Sequence, residues 1–243
     1  EAVELRAAGI RVPILVMGGY YGSRLDGLGE ILEHDLVPVV YDAGQVERIA
    51  AFARFEAEAP IGVHLKVDTG MGRLGASPGD LAAIFEAFAA HPEVRLDGLM
   101  THFACADAPD LEATRVQLRA FASIEHEAAR AGLRPRLRHA ANSAAMLRLP
   151  EARFDLVRPG IALFGHEAFT ARPDESAPEL KPVMRVRTEI VALRSIAAGG
   201  RIGYGHTWQA ARNSVIATVP MGYADGLSRS LSNRGHGLKI GRA

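Results

Sequence analysis

Short apolar runs alternate with longer amphipathic stretches between residues 11 and about 165, and this alternation limits the folds open to the chain. Six strands are predicted: Arg11–Met17, Val37–Tyr41, Ile61–Val67, Val94–His102, Arg136–His139 and Asp155–Phe164. Between them, apolar residues that return every three or four positions predict helices near 23–34, 44–57, 80–90, 111–131 and 142–148. Such alternation, with almost wholly apolar strands, indicates a parallel sheet that helices cover.

The strand pattern is compatible with two architectures. A (β/α)8 barrel of the TIM type needs eight strands, two more than the six predicted here. A six-stranded open parallel sheet is the alternative that the pattern leaves open. We therefore predict an α/β domain over residues 1–178.

The sequence changes character after residue 166. Thr170–Pro182 is rich in Pro, Glu and Ala, which is typical of a linker. The runs at 183–196, 213–222 and 237–243 are strand-like, are separated by glycine turns and show almost no helical pattern. They predict an incomplete, mostly β C-terminal domain over residues 179–243.

Charge and composition exclude several classes of partner. The 28 basic and 28 acidic residues cancel, so nothing suggests a nucleic acid or an anionic membrane as the main partner. No apolar run approaches the ~18 residues of a membrane span, and the first residues lack the apolar core of a signal peptide. The single cysteine, Cys105, and the absence of zinc-ligand spacing predict a cytoplasmic protein without a metal site. Small apolar neighbours predict that this thiol is buried and inert.

Polar residues collect where the predicted strands end, which is the catalytic side of a βα barrel. Lys66 and Arg73 stand in a loop with three glycines, KVDTGMGRLG, although the chain contains only three lysines. His102 ends the next predicted strand, where a histidine is more often structural than catalytic. Each of these loops is therefore a candidate site, with a purely structural role as the alternative.

The last two predicted strands each end in a segment suited to phosphate. Asn142 or Ser143 would cap a helix, and the free amides there could also hold a phosphate with the Ser143 hydroxyl. Arg158 and Gly160 follow in VRPGIA, and the bare glycine amide could approach the same anion. This is the position where barrels of this type bind phosphate.

Six motifs resemble those of the bacterial alanine racemases: KVDTGMGRLG, THFACAD, HAANSAAML, VRPGIALFG, IGYGHTW and VPMGYADG. They occur in the family's order from residue 66 to residue 226, and the segments between them resemble the family too. The resemblance implies an enzyme that uses pyridoxal 5'-phosphate in an α/β barrel followed by a β domain. It also implies interconversion of L- and D-alanine by two bases, which supplies D-alanine for peptidoglycan, in a homodimer with shared active sites.

The resemblance also assigns roles in cofactor binding. Ser143 and the amides of Gly160 and Ile161 would hold the cofactor phosphate, and Asn142 would line the same pocket. Arg158 would face the pyridine nitrogen, and because a guanidinium keeps its proton, that nitrogen would stay unprotonated. The same family pattern gives His102 and His139 the role of supporting Arg158.

Further roles concern the amino-acid substrate. Tyr204 matches the family's tyrosine base, and since a free phenol has a pKa of about 10, it would need positive charge nearby. Tyr223 would stand at the substrate entrance across the dimer interface. Arg73 would contact the substrate carboxylate, and Lys66 matches a lysine that the family often carries as a carbamate, which would hold Arg73 in place.

The resemblance implies that residues 1–178 form a (β/α)8 barrel whose first two strands lie upstream of Glu1 together with the family's cofactor lysine, and that further substrate contacts lie downstream of Ala243. We therefore expect these 243 residues alone to be inactive. A racemase for another amino acid, such as serine or lysine, remains an alternative, as does an amino-acid decarboxylase of the same barrel type. A non-enzymatic carrier barrel fits poorly, because it would lack a β domain with Tyr204.

Overall fold

The computed structural model of the protein describes residues 1–19, 26–169 and 179–237. The chain divides into two compact units, Glu1–Val183 and Met184–Ala243. Most of the predicted linker, residues 170–178, lies outside the described residues, as does nearly all of the strand predicted at 237–243.

The first unit alternates strands with helices. Its elements are α1 Ala2–Ala7, β1 Ile14–Val16, α2 Asp26–Glu33, β2 Leu36–Val40, α3 Ala43–Glu56, β3 Ile61–Lys66, α4 Leu81–Ala90, β4 Val94–Met100, α5 Glu112–Arg130, β5 Leu137–His139 and α6 Ser143–Arg148. The five strands pair in parallel in the order β1-β2-β3-β4-β5. Strand order that follows the chain without reversal is that of a barrel sector, whereas doubly wound open sheets reverse. The barrel fold is confirmed, and all five predicted helices are present.

The strand predicted at Asp155–Phe164 is wrong. Two isolated backbone bonds align this segment with the end of β5, from the Asp155 amide to Arg138 and from the Arg158 amide to Ala141. Pro159 then removes an amide donor, and Ile161–Phe164 forms a 3-10 turn instead of a ladder. Of the apolar side chains that suggested a strand here, Ile161, Leu163 and Phe164 lie exposed, whereas Leu156 and Val157 are half-buried.

The two faces of the sheet differ in chemistry. Val63 and Leu65 of β3, and Val67 directly after it, are buried in the core beneath the helices, which also contains Ile49 of α3 and Ile84 of α4. Burying each such side chain contributes roughly 1.5–3 kcal/mol. His64 and Lys66 alternate with them, so they face the opposite side, the barrel interior. The interior of the barrel is therefore where the polar chemistry collects.

The second unit is mostly β, as predicted. β6 Ala192–Ile196 pairs antiparallel with β9 Ser214–Thr218, and β7 Arg201–Ile202 pairs with β8 Trp208–Gln209. The strand predicted over 183–196 is shorter than expected, because the five residues of β9 pair only with 192–196. None of the helices in the described ranges is long and apolar enough to cross a membrane.

Candidate active site

The carboxyl ends of β3, β4 and β5 bring several predicted site residues onto one side of the barrel unit. Lys66 ends β3 and His139 ends β5, and both are buried. Ser143 begins α6 four residues after His139 and is also buried. Arg158 reaches this group from the segment that follows α6. Parallel strands place their carboxyl ends together, which is how separate motifs converge here.

Arg158 is the most constrained side chain of the site. Its Nη1 donates to Nδ1 of His139 over 2.5 Å, and its Nη2 donates to the carbonyls of Thr101 over 2.6 Å and Ala140 over 3.1 Å. The Nε atom is buried and has no hydrogen-bond partner within the described residues. The guanidinium is thus fixed by three contacts, and its Nε–H remains a donor for another acceptor.

Burial and charge determine the protonation states of this pair. Burial lowers the pKa of Arg158 to about 10, so the guanidinium stays charged at neutral pH. Burial, the charge of Arg158 and then His64 lower the pKa of His139 to about 3. His139 is therefore a neutral imidazole, and its Nδ1 carries the lone pair that accepts from Arg158.

His64 joins this network, although sequence reasoning gave it no role. Its Nδ1 lies 2.7 Å from Nε2 of His139, and the two rings are tilted by 56°. Only the strand alternation could have indicated this position, since His64 and Lys66 face the same side of β3. The site therefore contains a hydrogen-bonded network of three side chains, those of His64, His139 and Arg158.

The phosphate candidates meet around Ser143. Its Oγ accepts from the amide of Gly160 over 2.9 Å and from that of Ala162 over 3.3 Å, which leaves its hydroxyl proton as a donor. Ile161 begins the 3-10 turn, where the first amides have no acceptor inside the helix. Asn142 caps α6 by accepting from the amide of Ala145 over 3.0 Å.

The loop after β3 carries the two predicted cations. Lys66 is buried at the strand end, whereas Arg73 is exposed in the loop. Burial first, and then the charges of Arg73 and Arg158, lower the pKa of Lys66, and Asp68 opposes this. A lysine in these surroundings is less readily protonated than a free one.

Asp68 gives this loop its shape. Its Oδ1 accepts from the amides of Gly70 and Met71, each over 2.8 Å, and its Oδ2 accepts from Gly72 over 2.9 Å. Gly75 closes the loop with φ 140°, and a Cβ there would lie 2.7 Å from the Asp68 amide. The conformation of the loop that carries Arg73 is therefore fixed by the Asp68 carboxylate and by Gly75.

His102 lies in the loop after β4 and is half-buried. Burial and the charges of Arg158, Arg73 and Lys66 lower its pKa to about 4. The hydrogen bonds that Arg158 makes within the described residues go to other groups, so its effect on His102 is electrostatic. Cys105 of the same motif is exposed, so the predicted buried thiol is wrong.

The two predicted tyrosines belong to the second unit. Tyr204 begins the 3-10 turn Tyr204–His206 and is 97% exposed. Tyr223 begins the turn Tyr223–Asp225 and is 69% exposed. Within this unit, each phenol projects from a glycine-bounded turn and is available to other groups.

Comparison with known proteins gives a consistent result. The family model "Alanine racemase, N-terminal domain" matches residues 1–168, and "Alanine racemase, C-terminal domain" matches residues 183–243. The alanine racemase of Sorangium cellulosum is 66% identical over 242 residues, which are 100% of this chain and 63% of that protein. The alanine racemase of Syntrophobacter fumaroxidans is 42% identical over 99% of this chain and 62% of its own length.

A solved structure agrees in fold. The crystal structure of alanine racemase from D-cycloserine-producing Streptomyces lavendulae superimposes with a TM-score of 0.82 and 36% identity, over 96% of this chain and 61% of that one. The chain thus spans about three-fifths of the length of these relatives. Both family domains match in order and cover most of the sequence, so the chain belongs to the alanine racemase family.

Proposed function

We propose that the whole protein interconverts L-alanine and D-alanine with pyridoxal 5'-phosphate as its cofactor. The observation that carries the proposal is the state of Arg158, a half-buried arginine whose guanidinium makes three contacts and whose buried Nε has no partner within the described residues. A buried N–H donor without an acceptor is costly, and a ring nitrogen with a lone pair would satisfy it.

The residues present fit this cofactor at two points. Arg158 would meet the pyridine nitrogen through Nε, and Ser143 would donate its hydroxyl proton to the phosphate. The amides of Gly160 and Ile161 would complete the phosphate site, with Asn142 lining it. In the present arrangement the Gly160 amide bonds to Ser143, so its direct use would require a small local change.

The cofactor supplies electron withdrawal from the substrate's Cα when bound, which acidifies the α-proton. The contribution of Arg158 is to limit that withdrawal. Because its guanidinium keeps its proton, Arg158 leaves the ring nitrogen unprotonated and reduces the charge that the ring accepts. This favours return of a proton to Cα over transamination, as a racemase requires.

Arg73 and Lys66 are proposed to bind and orient the substrate. The exposed guanidinium of Arg73 suits a carboxylate, which it would hold with two parallel hydrogen bonds. The lowered pKa of Lys66 increases the share of free amine, the form that reacts with carbon dioxide to give a carbamate. The negative carbamate would then hold Arg73, and mass spectrometry of the intact protein would detect it.

The second unit is proposed to act through a homodimer. Tyr204 would remove the α-proton of L-alanine at the barrel of the partner subunit, with His102 as its neighbour there, and Tyr223 would line the substrate entrance. The near-complete exposure of Tyr204 supports this, since a base of a shared site is free until the partner arrives. A stable monomer of the whole protein in gel filtration would contradict the shared site.

The test is racemisation by the purified whole protein with added cofactor. We expect D-alanine to form from L-alanine, with solvent deuterium entering at Cα. Faster turnover of serine or lysine would indicate a racemase for that amino acid, and release of carbon dioxide would indicate a decarboxylase. We also propose that the 243 residues alone do not racemise alanine, and that the reaction supplies D-alanine for peptidoglycan in the cytoplasm.

A further inference from the structure

His64 is a buried, titratable side chain to which the proposed mechanism gives no task. It lies on β3 and is 5% exposed. Its Nδ1 is 2.7 Å from Nε2 of His139. His139 in turn holds Arg158, the residue proposed to face the cofactor ring. His64 therefore contacts His139, and His139 supports Arg158, the residue proposed to contact the cofactor.

The protons of the network formed by His64, His139 and Arg158 can be arranged in only one way that satisfies each of its hydrogen bonds. Arg158 has donors only, so Nδ1 of His139 must carry a lone pair. The proton of neutral His139 is then on Nε2, and it is donated to His64. Consequently Nδ1 of His64 is an acceptor, and the proton of His64 is on its own Nε2.

Adding a proton to either imidazole of this hydrogen-bonded network would place two N–H donors opposite each other. A protonated His139 would direct an N–H at Arg158, and a protonated His64 would direct one at His139. Burial is the main cause that lowers the pKa of His64; the charge of Arg158 lowers it further, whereas Asp97 on β4 raises it. Both imidazoles are therefore neutral at physiological pH, and each has a defined tautomer.

We propose that His64 is a positioning residue that keeps the proton of His139 on Nε2, so that Nδ1 of His139 always accepts from Arg158. This inference rests on the proposed function. Without an acceptor at residue 64, His139 gains access to the other tautomer, which sets an N–H against the guanidinium. Arg158 would then move, and its Nε would no longer be fixed for the cofactor ring.

The experiment compares three variants of the whole protein. His64→Asn places its Oδ1 where Nδ1 of histidine was, so it keeps the acceptor. His64→Leu removes the acceptor, and His64→Gln keeps a polar side chain but moves its acceptor further from the backbone. We expect kcat to fall roughly 10- to 100-fold in the Leu and Gln variants, as when a partner that orients a histidine is lost, and to recover in the Asn variant.

Two readouts separate positioning from loss of structure. The first is pyruvate formed per D-alanine, since transamination leaves the amino group on the cofactor and releases the keto acid. A displaced Arg158 raises this ratio, whereas partial unfolding lowers both products together. The second is the nitrogen spectrum of apoprotein labelled with 15N-histidine, in which His139 should be protonated at Nε2 in the wild type and in the Asn variant.

The outcomes are distinguishable from failure of the proposed function. If the whole wild-type protein does not racemise alanine, the proposed function fails, and the 15N spectra still decide the tautomer. If His139 carries its proton on Nδ1 in the wild type, or if the Leu and Gln variants keep the wild-type kcat and pyruvate ratio, the role of His64 is disproved. If the Leu variant does not fold, the Gln and Asn variants decide alone.

Discussion

The ring of His64 occupies the space in front of Gly98, its register partner on the neighbouring strand β4. A Cβ on Gly98 would lie 2.4 Å from Nδ1 of His64, far inside van der Waals contact. The glycine thus has a steric task, because any side chain there would displace the imidazole that bonds to His139. β3 has a register irregularity between Val63 and His64, next to this contact.

Gly98→Ala is therefore expected to destabilise the barrel unit by about 1–3 kcal/mol, because the buried ring has to shift to admit a methyl group. Urea unfolding followed by circular dichroism would measure the loss. Gly62→Ala is the control, because the nearest atom there, at 2.1 Å, is the far end of the Asp97 side chain, which can turn away. Equal stability of the two variants would contradict the prediction, because it would show that the His64 ring moves away from an added methyl group as easily as the Asp97 side chain does.

The pattern of apolar residues predicted the barrel well because parallel strands and their helices produce strong periodicity. It failed at residues 155–164, where the apolar side chains of Ile161, Leu163 and Phe164 are exposed and not part of a sheet. Periodicity reports which residues are apolar, whereas Pro159 and the turn at Gly160 decide the backbone. The prediction therefore broke down where local backbone chemistry outweighed the apolar pattern.

The site was predictable only in part, for a related reason. Motifs named Arg158, His139 and Ser143, and the structure brings these residues to the carboxyl ends of neighbouring strands. The contact between His64 and His139 joins residues 75 positions apart, and it depends on the strand register and on Gly98. No local pattern contains that information.

Ser143→Ala tests the proposed phosphate site. The change removes a hydroxyl donor and leaves the amides of Gly160 and Ala162 without their acceptor. A hydrogen bond to a charged group contributes about 1.5–3 kcal/mol, so pyridoxal 5'-phosphate should bind the apoprotein roughly 10- to 100-fold more weakly. Fluorescence titration of the whole apoprotein gives the dissociation constant.

Ser77→Ala is the matched control for that titration, because Ser77 is an exposed serine whose hydroxyl bonds to Asp80. It should leave cofactor affinity unchanged. If Ser143→Ala also binds the cofactor like the wild type, Ser143 is not part of the phosphate site.

Asp68→Asn tests how a carboxylate shapes the loop that carries Arg73. Partial burial raises the pKa of Asp68, but the amide hydrogen bonds from Gly70, Gly72 and Met71, together with the charge of Lys66, lower it overall. A lowered pKa in the folded state stabilises the fold above the unfolded value of about 3.9, and the effect is lost as the pH falls through the folded value. The wild type should therefore exceed the variant in stability by a constant amount above about pH 5, and by less below about pH 4.

Unfolding midpoints measured at several pH values would show this convergence. Asp110→Asn is the control, because Asp110 is an exposed aspartate that accepts a single amide hydrogen bond, from Glu112. Parallel curves for the wild type and Asp68→Asn down to pH 3 would contradict the role assigned to the carboxylate.

Gln117 of α5 links the two loops that carry the proposed substrate contacts. Its Nε2 donates to Oγ1 of Thr69 over 3.3 Å and to the carbonyl of His102 over 3.0 Å, and its Oε1 accepts from the Ala104 amide over 2.9 Å. Thr69 also bonds to Thr101 over 2.7 Å, so one buried amide joins the ends of β3 and β4. This link fixes the loop of Arg73 against the loop of His102.

Gln117→Leu should cost about 1–3 kcal/mol of stability, because it leaves the amide of Ala104 and the carbonyl of His102 without their partner in a part-buried position. It should also raise KM for alanine more than it lowers kcat, because a loosened loop weakens the hold of Arg73 on the carboxylate while Arg158 keeps its contacts. Gln209→Leu, which removes an exposed glutamine bonded to the carbonyl of Gly199, controls for loss of a glutamine elsewhere. A fall in kcat at unchanged KM would instead place the effect of Gln117 on His102.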